Sequence, residues 1–115
     1  MDANAQWERV VPLWQELTDP FGVKMCECVE WFASIDFIAE DFFPIWSMAT
    51  LIVADAVYLQ KVRSVHIRYL THLECYEMTS YVERAKISSD SFKDIRRIEI
   101  AERVREFLSE RRDSA

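Results

Sequence analysis

Residues that turn a chain are almost missing from this one. Among 115 residues there is one glycine, Gly22, and three prolines, Pro12, Pro20 and Pro44, and neither type occurs from Ile45 to Ala115. A fold of many strands needs many tight turns, and tight turns draw on glycine and proline. The scarcity therefore predicts an all-α fold: a single compact domain over residues 1–115, with four to six helices joined by short loops. Half of the residues are hydrophobic, enough to bury a core and to argue against disorder.

The apolar spacing divides the chain into segments. Trp7, Val10, Val11, Trp14 and Leu17 recur at helical intervals after a possible cap at Asn4, with Pro12 as a kink or a second start. Thr18–Gly22 reads as a turn. A second helix is expected from about Val23 to Asp41, with Cys28, Trp31, Phe32 and Ile35 on its apolar stripe and Ser34 and Asp36 as potential interruptions. Phe42–Ala54 carries no charge over thirteen residues. That is short of the roughly 20 needed to span a bilayer, so it reads as the core of a central apolar helix at about 44–59. Val62, Val65, Tyr69, Leu73, Tyr76 and Ser80 continue a helical stripe, which should break near Ser64. Ser91 with Asp94 resembles a capping box for a last helix to about Arg111.

Charge is unevenly divided. Residues 1–60 hold ten acids and two bases, together with all four tryptophans; residues 61–115 hold twelve bases and ten acids. The basic residues of the last helix are neutralised locally, since residues 90–113 carry seven of each sign. With a net charge of −6, direct nucleic-acid binding is disfavoured, and a basic protein surface is the better partner. No secretory signal or membrane span is expected, and three cysteines without a disulfide framework suit a reducing, cytoplasmic location.

Motifs for chemistry are weak. Cys26, Cys28, His72 and Cys75 are the ligand types of a zinc site, but Cys26 and Cys28 point apart on a helix. His66 and His72 share no helix face, and Cys75 with His72 lacks an evident orienting group. Asp55, in the most apolar stretch, is expected to be ion-paired. No catalytic residue, cofactor or metal is assigned.

The remaining signal is acidic and aromatic. Glu27, Glu30, Trp31, Asp36, Glu40, Asp41 and Trp46 are the candidate partner-binding residues, because tryptophan anchors interfaces and carboxylates match arginine and lysine. In size, acidity and lack of motifs the chain looks like phage-encoded anti-CRISPR proteins and bacterial toxin-immunity proteins. That likeness is compositional and carries over no functional residue. It implies a non-catalytic inhibitor or adaptor that occludes a basic, nucleic-acid-binding surface. The alternative is a helical homo-oligomer or complex subunit using the 44–59 helix; a zinc protein and a DNA-binding regulator rank below both.

Overall fold

Three helices, five strands and a final helix follow one another in the computed structural model, which describes residues 2–56 and 61–110. The helices are α1 (Ala3–Gln15), α2 (Pro20–Ala33), α3 (Asp36–Asp41) and α4 (Ile98–Ser109). The strands are β1 (Phe43–Ser47), β2 (Thr50–Ala54), β3 (Arg63–Leu70), β4 (Cys75–Val82) and β5 (Ala85–Phe92). They form one antiparallel sheet in the order β1-β2-β3-β4-β5. The expected all-α helical bundle is thus wrong, and the fold is a mixed α/β one.

The reason lies in the turns. Met48, Glu74 and Glu83 adopt positive φ of 53°, 51° and 55°, the left-handed conformation usually given to glycine. Each stands at a hairpin connection: Met48 between β1 and β2, Glu74 between β3 and β4, Glu83 between β4 and β5. Three turns are therefore made without glycine, and the scarcity of that residue did not forbid a sheet.

Over residues 44–54 the expected apolar helix at 44–59 is instead β1, a turn and β2. Leu51, Ile52, Val53 and Ala54 are all buried, so β2 has no polar face to reveal a two-residue period. Val57 and Leu59, placed in the same helix, lie outside the described residues. The segment from 61 to 86 is β3, β4 and the start of β5. Its real period is two: Val65, Ile67 and Tyr69 face the helices, while Ser64, His66 and Arg68 face the other way. Register carries that division across the sheet. Leu51 pairs with Ile67 and Ile67 with Met78 on the helix side; Ile52 pairs with His66 and His66 with Thr79 on the other.

The N-terminal helices follow their local chemistry. Asp2, not Asn4, caps α1, its Oδ1 accepting the Ala5 N–H at 2.8 Å. Pro12 stays inside α1, and Ala3, Trp7, Val10 and Trp14 make its buried stripe. The expected 18–22 turn is the start of α2: Asp19 caps it through Gly22 N–H at 2.7 Å, with Pro20 in the first turn. Gly22 is required there, since a Cβ would collide with Leu17 Cβ and lie 2.7 Å from Asp19 Oδ1. The chain does break after α2, at Ser34, whose Oγ donates to the Trp31 carbonyl at 2.7 Å. Extended Ile35 then leads into α3.

One core joins both layers. Trp7, Trp14, Met25, Phe32 and Ile38 of the helices meet Leu51, Val53, Val65, Ile67 and Met78 of the sheet. Hydrogen bonds tie the elements together: Trp7 Nε1 to the Phe42 carbonyl at 3.0 Å, and Tyr76 Oη to the Lys24 carbonyl at 2.7 Å. The last helix begins at Ile98, later than the expected capping box, because Ser91 belongs to β5. It docks through Ile100, Ala101, Val104 and Leu108. Arg63 closes its C-terminal end, with Nε donating to the Phe107 carbonyl at 2.7 Å and the guanidinium over the Phe107 ring. No helix among the described residues is long and apolar enough to cross a membrane.

Candidate functional site

The outer surface of α1–α3 gathers the carboxylates. Residues 2–41 hold nine acids against two bases, Arg9 and Lys24. Asp2, Glu8, Glu16, Asp19, Glu30, Asp36, Glu40 and Asp41 are exposed, and Glu27 is half-buried. Helices α1 and α2 turn their apolar stripes to the sheet and α3 packs against α1, α2 and α4, which leaves the polar residues on the outward side. The acidic half of the sequence thereby becomes one acidic layer of the molecule.

The seven predicted residues are not one cluster. Glu27 and Glu30 sit one turn apart on α2, where Glu30 Oε2 accepts from Gln15 Nε2 at 3.0 Å. Asp36 and Glu40 lie four apart on α3 and share a face. Asp41 instead lines a small cavity of about 200 Å³ with Phe42, Asp55, Leu108 and Ser109. The aromatics separate as well. Trp31 is half-buried against the core, and its buried Nε1 has no hydrogen-bond partner among the described residues. Trp46 is on β1, 46% exposed, edge-on to Trp14 with centroids 6.2 Å apart. Of the two, only Trp46 offers a broad exposed ring.

Sequence reasoning missed two features. The first is an apolar groove of about 380 Å³ between the N-terminal helices, lined by Asn4, Trp7, Glu8, Val11, Pro12, Ala33 and Ala39. The signal for it was Pro12, read as a difficulty for helix and not as a wall. The second is the helix-free side of the sheet, where Thr50, His66, Arg68, Glu77, Thr79, Tyr81 and Lys86 surround a polar cleft of about 370 Å³. The alternation from Ser64 to Tyr69 was its signal.

In that cleft Arg68 Nε is 2.8 Å from Glu77 Oε1, and the His66 ring lies 4.4 Å from that of Tyr81. His66 Nε2 is 3.2 Å from Ser64 Oγ. Burial and the nearby Lys61 charge push His66 down to about 4, so it is neutral near pH 7. Ser64 is itself only 2% exposed, which puts its hydroxyl out of easy reach of a substrate.

The cysteine and histidine residues are spread over the fold. Cys26 and Cys28 lie on α2, with His72 and Cys75 at the β3–β4 connection, and all three cysteines are unpaired. Among the described residues no three His, Cys, Asp or Glu side chains are grouped as a metal ion requires. Burial raises the Cys26 and Cys28 thiols, and Glu30 and Glu27 add to the rise at Cys26, so neither is an activated thiolate. Asp55 directly follows β2, and its Oδ1 accepts the Val62 N–H at 3.0 Å. Among the described residues of the 44–59 segment there is no helical dimer interface, because they form β1 and β2 and Leu51 and Val53 point into the core.

No protein-family model matches the chain, and the searches of curated proteins and of solved structures found no significant match.

Proposed function

We propose that this is a non-catalytic binding protein, an inhibitor or adaptor whose acidic helical layer covers a basic surface of a partner. The observation that carries the reading is the gathering of nine carboxylates over residues 2–41, six on α1–α3 and three at their caps, against Arg9 and Lys24, with eight of the nine exposed. Such a layer attracts arginine- and lysine-rich surfaces at long range and repels phosphate. A nucleic-acid-binding site of another protein is the natural match, because it is basic for the same physical reason. Trp46 supplies an exposed aromatic beside α1. Three unpaired cysteines suit work in a reducing compartment such as the cytoplasm.

The test is affinity capture from the native host at low salt, followed by binding measurements on the recovered partner. A basic protein should be recovered, and its affinity should fall steeply as salt rises. Combined Glu30→Lys, Asp36→Lys and Glu40→Lys changes should weaken it by roughly 100-fold, the scale of several lost charge pairs. Binding that is indifferent to both salt and charge reversal would sink the proposal.

A further inference from the structure

Resting on the reading of the helical layer as an acidic docking surface, we infer that the groove between α1, α2 and α3 is a receptor for one arginine side chain of the partner. The groove has an apolar bed of Trp7, Val11, Pro12, Ala33 and Ala39. Its polar edge comes from Asn4 and Glu8.

Pro12 gives this edge its character. In an α-helix the N–H of residue 12 would bond to the carbonyl of residue 8. Proline has no N–H, so the Glu8 carbonyl loses its helical donor. That carbonyl, the Glu8 carboxylate and Asn4 Oδ1 are all acceptors, and both residues line the groove. Further carboxylates stand one turn away on the other two helices: Glu30 from Ala33, and Asp36 from Ala39.

A pocket with an apolar floor and several acceptors selects for its complement, a long apolar stem ending in several donors. Arginine fits this better than lysine. Its planar guanidinium carries five N–H donors and is weakly hydrated, so it lies on apolar and aromatic surface at low desolvation cost. A lysine ammonium is a compact, strongly hydrated charge that gains little from the floor. The volume of about 380 Å³ is near the lower end of small-ligand pockets, enough for one long side chain with part of its backbone.

The experiment is an amide NMR titration of the full chain with acetylated, amidated tri-arginine and tri-lysine peptides at low salt. Tri-arginine should bind roughly tenfold more tightly, with the largest shifts at Asn4, Glu8, Val11, Ala33 and Ala39. Two variants sharpen the test. Ala33→Leu fills the floor and should remove the preference for arginine. Pro12→Ala supplies the missing donor to the Glu8 carbonyl; it should cut tri-arginine binding about threefold without altering charge, while favouring the helix. If both peptides bind equally and shift residues all over the acidic layer, the arginine receptor is wrong and the acidic docking surface stands. If neither peptide binds, both are wrong.

Discussion

Trp7 and Trp31 bury the same indole with different consequences. Trp7 Nε1 donates to the Phe42 carbonyl, whereas Trp31 Nε1 is buried without an acceptor among the described residues. Trp7→Phe should therefore lower stability by about 1–3 kcal/mol, since it strands a carbonyl as well as removing a bond. Trp31→Phe should stay within about 1 kcal/mol of the parent, because losing an unsatisfied donor offsets the lost apolar area. Urea denaturation of both variants decides this. His66 adds a pH dependence. Its folded pKa is near 4, below the unfolded value of about 6.5, so the unfolded chain binds more protons between those limits. Stability should fall as pH drops from 6.5 towards 4. His66→Gln should flatten that fall by about 1–2 kcal/mol, discounted because the ring is only half-buried. These roles were hidden at the residue scale. Trp31 and Trp46 look alike in sequence, and only packing leaves one half-buried against the core and the other an exposed ring.

At the scale of elements, α1 and the hairpin turns carry the least comfortable backbone. Pro12→Ala should stabilise the chain by about 1–2 kcal/mol, seen as a higher urea midpoint, because α1 regains a hydrogen bond. Met48→Gly, Glu74→Gly and Glu83→Gly should each add about 0.5–1 kcal/mol by relieving a left-handed conformation that a Cβ disfavours. Thermal melts of the three variants check it, and a fall in all of them would mean that side-chain contacts hold those turns. The same turns explain what was legible. Helices α1 and α2 were readable from their 3.6-residue stripes, although their caps, Asp2 and Asp19, were not the expected ones. The break at Ser34 was readable too. The sheet was not. In β2 both faces are buried, and in β3 Val65 and Tyr69 fall four apart as well as on one strand face, so both periods fit until His66 and Ile67 are weighed. Of the candidate site, the acidic half was visible in the charge count. Its division between α2, α3 and β1, and the groove beside α1, depended on a topology that the missing glycines concealed.

For the whole molecule, the sheet separates two electrostatic surroundings. The helical layer is crowded with like charges, while the open side of the sheet mixes Arg68, Lys86 and Glu77. Screening should relieve the crowding, so the melting temperature should rise when salt is added up to about 0.3 M, where the Debye length is well below 10 Å. Partner binding should weaken over the same range. Opposite responses to one variable would separate self-repulsion from attraction to a partner.

The order β1-β2-β3-β4-β5 also bears on how the chain assembles as it is made. Every strand pairs with its immediate predecessor, so the sheet can grow one short loop at a time. The helices α1–α3 are synthesised before the surface they lie on. Until the strands emerge, Trp7, Trp14 and Phe32 lack their apolar partners in the sheet, and the nascent N-terminal segment must wait with them unprotected. The same carboxylates that face outward in the finished fold would keep that waiting segment dispersed.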